Sequence, residues 1–449
     1  MTYALLTTEE AREFLDANPA VQWIDVFLFD LNGIPRGKRI RRADVLSAAK
    51  GGLMMPGSVF IMDPLGNCVE ETGRLWETGD PDHHCRLLGG TLAPIPVGDG
   101  RHAQAVMVVD GKDELDPRAV LIEQVDRLKR AGQTPVAAVE LEFYVTRRNA
   151  NGSFVLHTPE GLSDDPSRPL TFAFEEMDTL GPFIDDIYRI SEAQSLPVDA
   201  IMQETGPGQF EINLKHREDA VSAALDGLLL KRAVKAAARA HQLDATFMAK
   251  PHHDWAGSGM HIHVSLIDKA GQNLFAGDPI SPLFRYALGG LRETMADFMA
   301  VWAQSANAYR RYVPKAYVSM AAHWGFNNRT VALRIPHGSG PATRVEHRVA
   351  GADANPYLVL AAILAGIAHG IANKIDPGAS VEGNSEAVNA PPLPTAWVNS
   401  LDLFQKSAVV RDAFGANFRD VYARLKHTER INFERIVTPL DHLWYSQVA

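Results

Sequence analysis

Val139-Glu140-Leu141-Glu142-Phe143 and Met260-His261-Ile262-His263-Val264 alternate apolar and ionisable side chains without a break. On a β-strand successive side chains point to opposite faces, so each stretch sorts its charges to one side and its apolar groups to the other. Gln209-Phe210-Glu211-Ile212-Asn213 and Arg344-Val345-Glu346-His347-Arg348 follow a similar pattern. If the four strands join one sheet, its polar side is a wall of Glu140, Glu142, Glu211, His261, His263, Arg344, Glu346 and Arg348. A wall this dense is costly to bury unless its carboxylates bind cations. One Glu-x-Glu alone is more often a solvated face, and Arg344 and Arg348 could simply pair with Glu346 at a surface. Four such stretches together, two of them preceded by Gly/Pro-rich segments at 251–259 and 336–341, favour a site.

Around these strands the pattern is α+β, in two parts. Residues 1–112 form a small unit. It has a strand at 23–31, a turn at Asn32-Gly33, a return strand at 37–41 and then mostly loop chemistry from 51 to 100. Residues 113–449 form a large unit. Asp116-Pro117 opens a helix that Gly132 ends. Further amphipathic helices are expected near 182–195, 217–241, 283–304, 356–373 and 417–426. Residues 376–395 read as an exposed connection. His83, His84, His252 and His253 read as loop histidines, and Met54, Met55 and Met62 as packing residues.

The chain has 449 residues, 46% of them apolar and 22% charged, with a formal net charge of −10. That suits a globular protein, and the acidity argues against general nucleic-acid binding. Cys68 and Cys85 are the only cysteines, too few for a disulfide framework. The first 20 residues lack a signal-peptide core. The longest apolar run, at 357–372, falls short of the ~20 residues of a membrane span. The expectation is a soluble, cytoplasmic protein with no membrane partner.

Glu140, Glu142, Glu204, Glu211 and Glu346 offer five carboxylates, and His261 adds an imidazole. Hard divalent cations take such oxygens, and this set exceeds what one Mg²⁺ uses. Two or more ions fit better, the arrangement that clamps a transferring phosphoryl group. Mn²⁺ would also suit a site with one imidazole. Arg311, Arg329, Arg334, Arg344 and Arg348 suit an anionic substrate and nucleotide phosphates. No Walker A or Rossmann motif is present, so metal and arginine would hold the nucleotide.

Asp30-Leu31-Asn32-Gly33, Gly206-Pro207-Gly208-Gln209-Phe210-Glu211, Gly257-Ser258-Gly259-Met260-His261-Ile262-His263, Asn327-Asn328-Arg329-Thr330 and Ala350-Gly351-Ala352-Asp353-Ala354-Asn355-Pro356 carry a resemblance. With them the chain resembles the glutamine synthetase superfamily over nearly its whole length. Within it, the chain is most similar to the bacterial γ-glutamylpolyamine synthetases (glutamate–putrescine ligases). The resemblance implies an N-terminal β-grasp domain (1–112) and a catalytic domain (113–449) whose antiparallel sheet forms a funnel. It implies a homo-oligomer, commonly a dodecamer of two hexameric rings, with each site between neighbouring subunits. It assigns Glu142, Glu204 and Glu211 to a first metal and Glu140, His261 and Glu346 to a second. It places His263, Ser265 and Arg344 near ATP, and Gly257, Arg311 and Arg348 around glutamate. It makes Arg329, with Arg334 beside it, the group that stabilises the transferring phosphoryl. The implied reaction activates the glutamate γ-carboxylate as an acyl phosphate, which an amine then attacks.

Two departures from true glutamine synthetases bear on that amine. Their flap glutamate is Tyr317 here, after Arg311-Tyr312-Val313-Pro314. Their N-terminal Asp-Gly-Ser-Ser turn corresponds to Met54-Met55-Pro56-Gly57-Ser58, with no acid. Losing both anions disfavours a small cation, so Met54, Met55, Ser58 and Tyr317 are expected to line a wider pocket for an organic amine, putrescine or another polyamine first. Asp63, Glu70, Glu71, Trp76 and Tyr317 are candidates for a second ammonium. Hydrophobic monoamines, ammonia and a non-catalytic ring-forming role stand as alternatives.

Overall fold

The longest alternating stretch becomes the centre of the larger of two sheets. The protein is described from a computed structural model covering residues 4–149, 154–156 and 170–448. The smaller sheet contains β1 (Trp23–Phe29), β2 (Pro35–Arg41), β3 (Leu53–Pro56), β4 (Asp82–Leu87), β5 (Ala93–Ile95) and β6 (His102–Val109). Its order is β2-β1-β6-β4-β3, with β5 also on β6, and only β1 and β6 run parallel. The larger sheet contains β7 (Thr134–Arg148), β8 (Phe154–Leu156), β9 (Val198–Gln203), β10 (Gln209–Leu214), β11 (Asp244–Thr246), β12 (Met260–Ile267), β13 (Trp324–Phe326), β14 (Leu333–Ile335) and β15 (Val345–His347). Its order is β13-β14-β15-β12-β7-β10-β9, with β8 and β11 also paired to β7. The pairing is antiparallel except at the edge, where β13 and β14 run parallel.

The register fixes the polar wall. His261 lies opposite Glu140, Glu211 opposite Glu142, and Glu346 opposite His263 on one side and Arg334 on the other. The four alternating stretches therefore share one sheet. On its other face Val139, Leu141, Phe143, Phe210, Ile212, Met260, Ile262 and Val264 are fully buried. Each such side chain contributes roughly 1.5–3 kcal/mol of burial. The helix Ala220–Ala240 packs on β7, and the helix Pro356–Asn373 packs behind it.

Several helices fall where the periodicity places them: Pro117–Arg130, Gly181–Ala193, Ala220–Ala240 and Pro356–Asn373. Asp116 caps the first by accepting the Arg118 N–H at 2.9 Å. The stretch expected as one helix at 283–304 is two, Pro282–Thr294 and Met299–Trp302, and the last one runs further than expected, over Ala416–Glu434. Residues 51–100 carry more structure than loop chemistry suggested. β3, β4 and β5 lie there, and His83 and His84 sit on β4 rather than in a loop. Pro356–Asn373 is apolar enough to span a membrane by length and composition, but 72% of that window is buried as the central core helix.

The two sheets meet at the Asn32-Gly33 turn. Asn355 caps Pro356–Asn373 through the Tyr357 N–H, and its Nδ2 donates to the carbonyls of Asp30 at 3.0 Å and Leu31 at 3.3 Å. Gln304 Nε2 donates to the Asn32 carbonyl at 3.1 Å, and the buried Lys426 ammonium donates to the Asn32 side chain. Gly33 has φ of 74°, and a Cβ there would lie 3.3 Å from Asn355 Cα. Left-handed backbone and close approach both require glycine.

Candidate active site

β7 and β12 place Glu140 against two imidazoles. Its Oε1 lies 2.8 Å from His263 Nε2 and its Oε2 3.4 Å from His261 Nδ1. Glu346, 1% exposed, accepts from Arg334 Nη1 at 2.7 Å and from the Arg348 guanidinium. Its burial excludes the surface ion pair that the sequence left open. Burial pushes the Glu346 carboxyl up, but Arg348, His261 and His263 outweigh it and hold the group at about 2. Burial also opposes ionisation of Glu140, and the two histidines still hold it well below the ordinary range. This half of the wall balances its own charge.

The other half does not. Glu142, Glu204 and Glu211 bring carboxylate oxygens within 4.8 Å of one another. Burial, then the Glu142 charge, raises Glu204 to about 7. Burial together with Glu140, Glu142 and Glu204 raises Glu211 well above its ordinary value. Three carboxyls held this close cannot all ionise without a cation between them. Two further groups are as close: Glu140, Glu211 and His261, and Glu140, His263 and Glu346. The donor set, oxygen-rich with one or two imidazoles, fits Mg²⁺ or Mn²⁺.

Arginines rim this acidic floor. Arg344 Nε donates to His263 Nδ1 at 3.1 Å, and Arg334 Nη2 to Asn327 Oδ1 at 2.8 Å. Arg329 is exposed, with its charge close enough to Glu204 to oppose the rise in that group's pKa. Arg311 is buried and donates to the Val349 carbonyl at 3.1 Å. A Cβ on Gly257 would meet Arg311 Cγ at 2.8 Å, and one on Gly259 would lie 3.0 Å from Arg311 Nη2 and 3.5 Å from Glu142 Oε1. The glycines thus let Arg311 lie against the loop beside the acids.

A model of the glutamine synthetase catalytic domain matches residues 114–445. The chain belongs to the glutamine synthetase family. Among curated relatives of this family member is the gamma-glutamylputrescine synthetase PuuA of Escherichia coli strain K12, 40% identical over 445 residues, 97% of this chain and 94% of the relative. A glutamate–isopropylamine ligase of a Pseudomonas species is 30% identical over 431 residues, 93% of each chain. The glutamine synthetase of Thermotoga maritima is 30% identical over 437 residues, 93% of this chain and 94% of the relative. A solved structure described as a GmaS/ADP complex superposes with a TM-score of 0.83 at 25% identity, covering 98% of this chain and 99% of that one.

In this glutamine synthetase family member most of the expected residues converge: the five glutamates, His261, His263, Arg334, Arg344 and Arg348, with Gly257 and Arg311 alongside. Ser265 is buried on β12, two positions beyond His263. One grouping differs from expectation. Glu140 and Glu346 gather with His263, whereas His261 gathers with Glu140 and Glu211 and lies 3.7 Å from Glu346. The expected amine-pocket residues lie on different elements, with no pairing, hydrogen bond or shared cavity recorded between Tyr317 and the other three among the described residues. Met54 and Met55 lie on β3 of the smaller sheet and Ser58 on the turn after it, with Met54 half exposed and Met55 buried. Tyr317 is 69% exposed on a separate loop, at φ of 53°. The turn that lacks an acid in sequence has one in space, because Asp80 accepts the Ser58 N–H at 2.7 Å and its hydroxyl at 2.8 Å.

Three residues at the site escaped the sequence reading. His216 has its ring centroid 5.9 Å from that of His263, and burial, His263 and Arg344 lower its pKa to about 4. Tyr144 donates to the Ala256 carbonyl at 2.9 Å, tying β7 to the loop before Gly257. Glu176 is buried and accepts from Gln203 Nε2 at 2.6 Å and the Gly208 N–H at 2.7 Å, bracketing the turn that carries Glu204. Tyr144 continues the Glu140, Glu142 face and was legible. Glu176 belongs to no pattern.

Proposed function

We propose that this protein is an ADP-forming carbon–nitrogen ligase that joins the γ-carboxylate of glutamate to an organic amine, with putrescine or another polyamine favoured. The observation that carries the reading is the acidic floor of Glu142, Glu204 and Glu211, short of positive charge, beside arginines that suit anions. A carboxylate is a poor acyl donor because its leaving group would be oxide. Phosphorylation of the γ-carboxylate by ATP makes phosphate the leaving group. A neutral amine then attacks the carbonyl carbon, giving the γ-glutamyl amide, ADP and phosphate.

The residues divide by chemistry. Glu142, Glu204 and Glu211 would hold one Mg²⁺, and Glu140, His261 and Glu346 a second, with His263 close enough to share it; Mn²⁺ is the alternative ion. Bound there, the ions would neutralise charge on the phosphates during transfer. Arg311, Arg348 and Gly257 receive glutamate. His263, Ser265 and Arg344 face the nucleotide. Arg329 and Arg334 offset charge on the moving phosphoryl group. Tyr317, Met54, Met55 and Ser58 are assigned to the amine pocket, the last three reaching it only from a neighbouring subunit.

That arrangement goes with a homo-oligomer, a dodecamer of two hexameric rings. An unusual exposed apolar run supports assembly: Ile436, Val437, Leu440, Leu443, Trp444 and Val448 are each at least half exposed. Residues 1–112 are assigned as a β-grasp domain, a reading supported by the mixed sheet with parallel β1 and β6, and residues 113–449 as the catalytic domain. The substrates and acidic charge suit a cytoplasmic enzyme.

ADP release with glutamate, ATP and Mg²⁺ is the test, across ammonium, putrescine, spermidine, isopropylamine, butylamine and a phenylalkylamine. Higher kcat/KM for organic amines than for ammonium is expected. Ammonium turned over at least as efficiently as every amine would overturn the reading. Best turnover of apolar monoamines would keep the chemistry and change the substrate.

A further inference from the structure

The segment on either side of Tyr317 borders a cavity whose lining includes none of the acidic-floor residues. Residues 314–323 and 385–393 are stitched together by an Ala321–Pro392 bridge, by the Leu393 N–H donating to the Met320 carbonyl at 2.7 Å, and by the Lys315 N–H donating to Glu386 Oε1 at 2.6 Å. Between them lies a cavity of about 510 Å³, within the range of small-molecule sites and larger than a lone ammonium needs.

Its lining is amphipathic. Pro314, Met320, Val388 and Pro392 supply apolar wall, and Glu386 and His323 supply polar groups. Glu386 is exposed at the edge of the cavity; its carboxylate accepts the Lys315 N–H, and among the described residues it forms no ion pair with a cationic side chain. His323 is 5% exposed, and its Nε2 has no hydrogen-bond partner. Burial and the Arg292 charge lower the pKa of that imidazole, so the ring is neutral at pH 7 and does not repel a cation. A carboxylate without a cationic partner, on the lining of a largely apolar cavity, suits an alkyl chain ending in an ammonium.

We propose that this cavity is a subsite for the alkyl chain and distal ammonium of an aliphatic diamine, with Glu386 as the carboxylate that receives it. The subsite rests on the reading that the nucleophile is an organic amine. It departs from the acids that the sequence suggested for the second charge. Asp63 is already engaged by Asn67, and Glu70 accepts the Trp76 indole N–H at 3.0 Å. Because Pro314 and Ser319 flank Tyr317, a chain seated here lies under the loop that takes the place of the missing flap acid.

Glu386→Gln removes the charge and keeps an oxygen for the Lys315 N–H, so the loop retains its tie. The experiment compares kcat/KM for putrescine and for 1-butylamine, which lacks the distal ammonium, in wild type and variant. Calorimetric titration of putrescine into both proteins is run beside it. The expected result is an about tenfold fall in the putrescine-to-butylamine ratio, the size of one charge-assisted hydrogen bond, with matching loss of putrescine affinity. A ratio unchanged within about twofold, or wild type that binds putrescine no better than butylamine, overturns the subsite. If wild type turns over no amine at all, the ligase reading fails by itself, and the titration still decides whether Glu386 receives an ammonium.

Discussion

Removing Mg²⁺ and restoring it at several pH values tests the charge imbalance among Glu142, Glu204 and Glu211. A cation needs its ligands as carboxylates, so protons must leave as it binds. Burial and Glu142 hold Glu204 at about 7, so at pH 7 the metal-free protein carries about half a proton there. Affinity for Mg²⁺ should then weaken about tenfold per pH unit below 7, and more steeply where the raised Glu211 also titrates. Above pH 8 the Glu204 contribution flattens. Stability follows the same groups. A carboxyl raised in the fold stabilises the metal-free protein below its unfolded pKa and loses that contribution as pH climbs through 7. From 4.5 to about 7 the loss reaches at most about 3–4 kcal/mol, and solvent screening of the half-buried Glu204 brings it nearer about 2. Mg²⁺ reverses it. Thermal unfolding with and without Mg²⁺ should show a metal-induced rise in Tm that grows between pH 5.5 and 8. Calorimetry in two buffers of different ionisation enthalpy counts the protons. Mg²⁺ affinity that stays flat from pH 6 to 8, or Glu204→Gln releasing as many protons as wild type, would refute the argument.

Arg348→Met takes one of two guanidiniums from buried Glu346 and one from the proposed glutamate site; KM for glutamate should rise at least about thirtyfold, the cost of a lost buried charge pair, and an unchanged KM in the ADP assay contradicts the assignment. Tyr317→Glu restores a flap acid and should shift the ammonium-to-butylamine ratio of kcat/KM about tenfold toward ammonium; no shift separates Tyr317 from the amine pocket. Truncation after Glu434 removes the exposed apolar run, so light scattering should report a smaller particle than the full chain forms, and an equal mass dismisses a role in assembly. Lys231 is partly buried, its ammonium donating to the Ala354 carbonyl at 2.9 Å, and burial lowers its pKa to about 7, so its contribution to stability should improve as pH rises from 7 toward 10; Lys231→Met should flatten that part of the Tm profile.

The acidic wall was legible because strict alternation on β7, β10 and β12 survives burial of one face, and the sheet leaves no freedom about which face the acids take. The capped helices were legible for a similar local reason, with Asp116-Pro117 and Asn355-Pro356 each supplying an acceptor and a preset φ. β3, β4 and β5 were not. They are short, β5 contains Pro94, and β4 reads Asp-His-His-Cys-Arg-Leu with no clean period. Pairing of β4 and β5 with β6, and of β3 with β4, overrides weak local preference. The features that sequence could not give are long-range meetings: Asp80 with Ser58, Glu176 with Gly208, and Glu386 with Lys315. Each joins residues from separate segments, and nothing in either partner's neighbourhood announces the other.

β7 also constrains how this protein can change. Its fifteen residues pair with β8, β10, β11 and β12 at once, and Glu140 and Glu142 reach the wall only through the parity of their positions. One residue inserted between Thr134 and Glu140 would exchange the two faces, sending carboxyls toward the helix Ala220–Ala240 and Leu141 toward the acidic floor. Only a β-bulge that absorbed the extra residue would restore the frame against which every partner strand is set. Side chains along β7 can therefore be exchanged more freely than its length, and variation in size is best accommodated in the connections beyond the strand ends.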